Sequence, residues 1–544
     1  MALDTPTGDE DVFILAKHTR VHGLQRHGIA SFRGIQYGTI SQRFGEAKYK
    51  PLSDSSSLID ATAFGPHCPQ PSDPQHDGLK HLLAELEKPV GIVSEFDCLR
   101  VNVYTPSTSW GQEKKLPVLV WIHGGALVTG SGDEETGGAD LVQKALELGK
   151  PFVYVTLNYR LGLFGFSHSI ELEQEAKEHR EGGFANQGLL DQRLAMRWVK
   201  ENIHYFGGDT SEITLAGESA GAVCILAHLR SDVLICKRAI IMSPPRWPMQ
   251  SLAKSQAIFD DVYKATSLRE DQLGSDKLER IRNLTAEQLV ALAPPFLGFT
   301  WDPKWFAEAD IGKPLDEMSA IPPWLDGLVI GSTKDEIAAW GLPSKGYTRH
   351  EQTNILNTII PHSDFRREII EEYDISTLSD SSLLPSLIQI GTESLFTSLA
   401  LDIAKSLRVP TSLYVFDHKD SFPESSLKGY AYHAFDNCFF ARFPSVAGPD
   451  ATLEMRATAD LTTSWVSMFV HGEQPWEVWD EDIGRGMVVG ESVKQDDEVE
   501  RGGGLGGVIS IVRKLEGLER IGRMTSTSER KRMFEAAGHK LLSF

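Results

Sequence analysis

The sequence predicts an α/β fold: a central, mostly parallel twisted sheet flanked by helices, with small N-terminal antiparallel strands and a helical cap. Three observations predict it. Nearly continuous apolar runs recur, Leu116-Pro117-Val118-Leu119-Val120-Trp121-Ile122-His123 and Phe152-Val153-Tyr154-Val155-Thr156-Leu157-Asn158-Tyr159. Such runs suit strands buried on both faces. Helix-period patterns alternate with them, which implies a doubly wound sheet. The N-terminal part, by contrast, reads as short strands broken by turn residues.

In order along the chain, Thr19-Arg20-Val21-His22-Gly23 and Ile29-Ala30-Ser31-Phe32-Arg33-Gly34-Ile35-Gln36-Tyr37 form the antiparallel part. Leu99-Arg100-Val101-Asn102-Val103-Tyr104 alternates and is a strand, followed by the two apolar runs. The span 187–205 carries Leu189, Leu190, Leu194, Ala195, Trp198, Val199 and Ile203 at helix spacing. Strand Ile213-Thr214-Leu215, a helix through Ala222-Val223-Cys224-Ile225-Leu226-Ala227, and strand Lys237-Arg238-Ala239-Ile240-Ile241-Met242 continue the alternation. Residues 247–325 read as helices and loops forming a cap and substrate-pocket insertion. The glycine-rich, acidic stretch 492–508 reads as a mobile loop, and 526–542 as a terminal helix capped by Ser526 or Thr527. Neither an internal repeat nor a clean linker divides the chain, so 1–544 reads as one domain.

One pentapeptide concentrates the chemistry. Gly217-Glu218-Ser219-Ala220-Gly221 is a G-x-S-x-G sequence between the strand ending at Leu215-Ala216 and the helix after it. Strand, pentapeptide and helix make the context of a nucleophile elbow. The turn is too tight for ordinary side chains beside the serine, and glycine relieves that crowding. Ser219 is then held at the top of the sheet, near the positive end of the following helix. A bare G-x-S-x-G is common in glycine-rich chains. The longer pattern, Phe206-Gly207-Gly208, then the strand, then Gly-Glu-Ser-Ala-Gly, is far more specific, and it resembles the serine signature of the type-B carboxylesterase/cholinesterase family.

The resemblance covers roughly residues 12–480, looks most like fungal members, and implies an α/β-hydrolase fold with serine esterase chemistry. Such chemistry needs a base, an acid that orients it, and donors for the oxyanion. Trp121-Ile122-His123-Gly124-Gly125-Ala126-Leu127 resembles the family's HGG-type loop, which implies the amides of Gly125, Ala126 and Ala220 as the oxyanion hole. Many family members carry a third glycine where Ala126 stands. Gly331-Ser332-Thr333-Lys334-Asp335-Glu336 follows an apolar strand and implies Glu336 as the acid, with Asp335 the alternative if the loop register differs. Tyr432-His433-Ala434-Phe435-Asp436 resembles the His-x-x-Asp/Glu segment and implies His433 as the base, third in the order Ser, acid, His. Glu218, beside the nucleophile, is expected buried, as structural support or as an influence on the field at His433, and is also a candidate substrate contact. Leu127, Phe299 and Trp301, and with them Phe296, Trp305 and Phe306, are candidates to line an apolar pocket or to pack in the cap. The segments around Cys68 and Cys98 resemble the family's first cysteine loop, which implies a Cys68–Cys98 disulfide. That loop departs at Phe96, where an acid is usual, and Ser243-Pro244-Pro245 stands where Ser-Gly is usual. Arg160 and Asp191 are expected to form a buried salt bridge of the scaffold.

Composition bounds the partners. The chain has 544 residues, 41% hydrophobic and 24% charged, enough for a large core. Its net charge of −21 argues against nucleic acid as a partner. No segment reaches transmembrane length and no signal-peptide pattern opens the chain, so the expected compartment is the cytoplasm, or outside the cell if a leader was removed. None of the five cysteines has metal-ligand spacing, so no metal site is expected. The implied reaction needs no cofactor, and its partner is a small-molecule ester. Two rivals stand beside hydrolysis: a lactonase or acyl-transferring enzyme with the same triad, and a non-catalytic cholinesterase-like binding protein.

Overall fold

The computed structural model describes all residues except 1–8, 53–57, 72–81, 83–91, 134–136, 180–184, 232, 248, 267–276, 303–304, 307–312, 314–323, 341–347, 376–382, 408, 481, 491–510, 516 and 542–544. Its centre is one large sheet. The strands are β1 (Glu10–Ala16), β2 (Thr19–Arg26), β3 (Ile29–Gln36), β4 (Arg100–Pro106), β5 (Leu116–Ile122), β6 (Val153–Leu157), β7 (Gly208–Glu218), β8 (Arg238–Met242), β9 (Gly327–Thr333), β10 (Thr411–Phe416), β11 (Arg485–Val489) and β12 (Ile511–Lys514). Their spatial order is β1-β2-β3-β4-β6-β5-β7-β8-β9-β10-β11-β12, and the short strand Ile59–Asp60 pairs with β2. From β6 through β11 every pairing is parallel. The pairings among β1 to β4, and of β4 with β6, are antiparallel, as is β12 at the far edge.

The apolar runs are continuous because each strand feeds two cores. Side chains alternate across a sheet with period two. Val118, Val120 and Ile122 of β5 join the core on one face, and Leu119 and Trp121 join the core on the other. In β8, Ala239 and Ile241 go one way, Ile240 and Met242 the other. Helix Gln187–Asn202 buries Leu189, Ala195, Trp198 and Val199 against the first of these faces. Its base is fixed by Asp191, which receives Arg160 through both carboxylate oxygens at 2.7 Å. This is the buried ion pair expected of the scaffold.

The described parts of 247–325 include three helices, Leu252–Thr266, Lys277–Arg282 and Ala286–Leu292. The terminal helix runs Ser528–Leu541 and is capped at Thr527, whose Oγ1 accepts from Arg530 N at 3.2 Å. The stretch 492–508 expected to be mobile lies outside the described residues. Among the described residues no helix is long and apolar enough to cross a membrane.

The N-terminal cysteine loop differs from expectation. Cys68 and Cys98 are buried free thiols rather than a disulfide. The two thiols lie side by side, and Cys68, ahead of burial, raises the Cys98 pKa. Cys68 Sγ also accepts from Leu161 N at 3.2 Å, and Cys98 Sγ donates to Glu95 O at 3.7 Å. The acid missing at Phe96 is supplied one residue earlier. Glu95 takes Arg43 in a two-pronged pair at 2.6 Å, while Phe96 faces solvent.

Candidate active site

The parallel strands deliver their chemistry at their carboxyl ends, where open α/β sheets bind ligands. β7 lies between β5 and β8, with Gly217 opposite both Ile122 and Ile241. The chain then turns at Ser219 into helix Ala220–Leu229. Ser219 adopts φ 55° and ψ −122°, a conformation costly for any residue with a side chain. It is held there by the hydrogen bond from its own N to Met242 O at 3.0 Å. The glycine after it is forced by contact: a Cβ on Gly221 would lie 2.1 Å from Ile122 O. Ser219 therefore projects from a turn that packing on both sides over-determines.

The loop after β5 faces this turn. Gly125, Ala126 and Leu127 all carry positive φ, at 96°, 54° and 63°. The turn is closed by Val128 N and Thr129 N, both donating to Gly125 O at 2.9 Å. Among the described residues the amides of Gly125 and Ala126 make no backbone hydrogen bond, and Ala220 N, at the first position of its helix, has no intrahelical acceptor. Gly125, Ala126 and Ser219 line the same cavity. His123 fixes the loop from beneath. Its ring stacks on Tyr159 at 4.3 Å, and the Tyr159 hydroxyl donates to His123 O at 2.9 Å. Burial lowers the His123 pKa to about 4, so this imidazole is neutral.

Glu336 begins a short helical turn just after β9. Its Oε1 accepts from Thr333 N at 2.7 Å, and its Oε2 lies 2.5 Å from His433 Nδ1. His433 N also donates to Glu336 O at 3.2 Å. Asp335 is turned elsewhere, toward Lys419 at 2.7 Å and Ala431 N at 2.9 Å, so Glu336 is the acid that meets the imidazole. The other nitrogen, Nε2, lies 2.9 Å from Glu218 Oε1, while Glu218 Oε2 accepts from Asn437 Nδ2 at 3.2 Å. Among the described residues Ser219 Oγ makes no hydrogen bond. Burial pushes the His433 pKa down, but the Glu218 and Glu336 carboxylates outweigh it and hold the imidazole well above the usual histidine value, at about 10. Asp436, three residues on, is pushed the opposite way from an ionised acid. Burial, then the fields of Glu218 and Glu336, raise it well above the carboxylate range, and Tyr414 donates its hydroxyl to it at 3.2 Å.

Two aromatic rings hold the imidazole from other sides: Trp340 at 4.7 Å and Phe396 at 5.3 Å between ring centroids. Trp340 sits on the same turn as Glu336. Phe396 is carried by a π-helical turn, Glu393–Thr397, a distortion that often marks functional sites. Neither was expected. The position of Trp340, four residues past the candidate acid, was the only available signal, and the register of Phe396 depends on a helix irregularity with no sequence mark.

The cavity above Ser219 measures about 1160 Å³. Phe296 lines it, with Trp247, Leu297, Trp340, Leu395 and Phe396. Glu218, turned toward His433 and Asn437, does not, and neither do Leu127, Phe299 and Trp301. The last three pack into the hydrophobic core, Phe299 against Phe166 at 6.0 Å. Trp305 and Phe306 are core residues too. Their backbone explains why: Gln250 N donates to Phe299 O and Trp301 N to Gln250 O, so this stretch is stitched under the wall rather than facing the cavity. Pro245, from the Pro-Pro departure, does reach the cavity.

Residues 11–485 match the Carboxylesterase family, and the chain belongs to it. It is 30% identical over 470 residues to the para-nitrobenzyl esterase of Bacillus subtilis (strain 168), spanning 82% of this chain and 85% of that one. Lipase 5 of Diutina rugosa is 31% identical over 368 residues, covering 61% of this chain and 63% of the relative. A solved PNB esterase structure superposes with TM-score 0.70 at 25% identity, over 94% of this chain and 99% of that one. The protein is thus a carboxylic ester hydrolase with the α/β-hydrolase fold. Bacterial and fungal relatives stand at similar identity.

Proposed function

We propose that the protein is a serine esterase that hydrolyses carboxylic esters through an acyl-enzyme, with Ser219, Glu336 and His433 as its triad. His433 Nε2 takes the proton from Ser219 Oγ as the oxygen attacks the ester carbonyl. The carbonyl oxygen gains the negative charge and is received by the amides of Gly125, Ala126 and Ala220. The tetrahedral adduct collapses, the proton passes from His433 to the leaving alkoxide, and the alcohol departs. Water then attacks the acyl-enzyme, giving its proton to His433, and the acid is released with Ser219 restored. Glu336 holds the imidazole orientation and stabilises the cation formed at each step.

The observation that carries this reading is the shared cavity. A serine on an over-determined turn and two loop amides that make no backbone hydrogen bond among the described residues open onto one space, with an imidazole–carboxylate pair 2.5 Å apart at the same strand ends. His433 Nε2 rests on Glu218 in the absence of substrate, and catalytic hydrogen bonds commonly tighten only in the complex. Trp247, Phe296 and Leu297, among the described parts of 247–325, wall this cavity and support our assignment of that segment as its cap, and the cytoplasm is the compartment we propose.

A fluorophosphonate probe tests the chemistry, with the adduct located by mass spectrometry and p-nitrophenyl butyrate turnover followed alongside. The expected result is an adduct on Ser219, and loss of turnover by about 10⁵- to 10⁶-fold in Ser219→Ala. Full activity in that variant would refute the triad.

A further inference from the structure

The cavity wall contradicts the charge of the molecule around it. The chain holds 75 acidic residues against 54 lysines and arginines. Yet among the described residues that line the cavity there is no aspartate or glutamate, and the charged or titratable side chains are Arg246, Lys254 and His539. Two of them come from a single stretch, 245–254, which contributes Pro245, Arg246, Trp247, Gln250 and Lys254.

The three basic groups differ in what they can offer. Arg246 is buried and faces acids behind the wall, Asp402 and, at 3.1 Å, Glu535, so its charge is balanced within the protein. Burial, then the field of Arg246, lowers the His539 pKa below the usual histidine value, so at neutral pH this imidazole is uncharged. Lys254 is different. It is exposed at the cavity edge in the first turn of helix Leu252–Thr266, and among the described residues its ammonium makes no ion pair. Next to it, buried Gln250 spends its Oε1 on Ser255 Oγ at 3.2 Å, and the group it has left is its NH2 donor. A lysine charge, an amide donor and a helix N-terminus therefore share one side of a space without carboxylates, where positive potential is focused by apolar walls.

On the reading that Ser219 is the nucleophile, we infer that the cavity takes esters that carry a second, ionised acid group, such as the half-esters of dicarboxylic acids. The ester carbonyl sits at Ser219 and the free carboxylate is received by Lys254 and the Gln250 amide. Trp247, Phe296 and Leu297 enclose the apolar chain between the two ends.

The test compares the monoanionic mono-p-nitrophenyl ester of adipic acid with p-nitrophenyl hexanoate, which lacks the terminal charge. Binding of both to the Ser219→Ala variant is measured by calorimetry, so that turnover does not enter. The half-ester should bind more tightly, and that preference should fall by about fivefold in Ser219→Ala/Lys254→Gln and weaken with added salt. In the active protein, the ratio of kcat/KM for the two esters should fall by the same factor in Lys254→Gln. Equal binding of the two esters, or a preference untouched by Lys254→Gln, would overturn the inference. A missing fluorophosphonate adduct on Ser219 would instead overturn the nucleophile assignment, and the calorimetric preference would still report on the wall.

Discussion

His433 lies between two carboxylates, and this sets the pH at which it can act as a base. Its pKa is raised, so at neutral pH most of the imidazole carries a proton and the free base grows as pH rises. The acid limb of kcat/KM should therefore lie above the ordinary histidine value of about 6.5. Replacing Glu218 by Gln removes one of the two stabilising charges and keeps the shape. A pH profile on p-nitrophenyl butyrate should show the acid limb moved to lower pH by about one pH unit. An unmoved limb would mean that Glu218 supports the turn without touching the titration. At this scale the residues proposed as the triad stood out in the sequence because each is attached to a local pattern: a glycine-flanked serine, an acid closing a Gly-x-x-x-Asp-Glu run, a histidine three residues before an acid. The preference for Glu336 over Asp335 came from the resemblance alone and not from the residues themselves. The choice depends on which carboxylate the turn after β9 directs inward, and Lys419 with Ala431 N draws Asp335 the other way.

Among the elements, the loop after β5 is the one on which the proposed oxyanion hole depends most. Gly125 has φ 96°, and a Cβ there would lie 2.2 Å from Thr129 O. Gly125→Ala should displace the amides at 125 and 126 together and lower kcat by about 10²- to 10³-fold, the cost of an oxyanion donor. Circular dichroism and the fluorophosphonate adduct should be retained, because Ser219 is held by the turn between β7 and its helix. An equal loss of fold and activity would show that the loop is structural first. The strands were legible because β5, β6 and β8 feed cores on both faces, which leaves little room for polar residues. The pocket aromatics were not. Phe296 and Phe299 lie three residues apart in the same loop, yet one faces the cavity and the other the core. A loop has no period from which to read such a difference, and a backbone bridge to Gln250 decides it.

Across the whole molecule, long-range ties join segments far apart in sequence. Arg160, after β6, reaches Asp191 on the helix Gln187–Asn202 and Gly45 O in the N-terminal part. Arg160→Met leaves the Asp191 carboxylate buried without its partner, and should destabilise the fold by about 3–5 kcal/mol, read as a lowered denaturation midpoint. Arg160→Met/Asp191→Leu, with both charges gone, should recover much of that loss. Such ties were visible in the sequence only as residues resembling the family's scaffold. The cavity wall was visible only in part, as the insertion 247–325 and Phe296, because Arg246, Gln250 and His539 meet only after the terminal helix has folded back onto the segment that follows β8. The free thiols have a practical consequence of their own. Cys68 and Cys98 lie in the N-terminal loop, Cys224 on the helix after Ser219, Cys236 ahead of β8 and Cys438 on the helix behind His433, and all five are buried. An alkylating reagent can reach each of them only when its surroundings open. The chain thus carries five built-in clocks, and the order in which mass spectrometry finds them tagged under rising denaturant would map which part of the enzyme comes apart first, with no label engineered in.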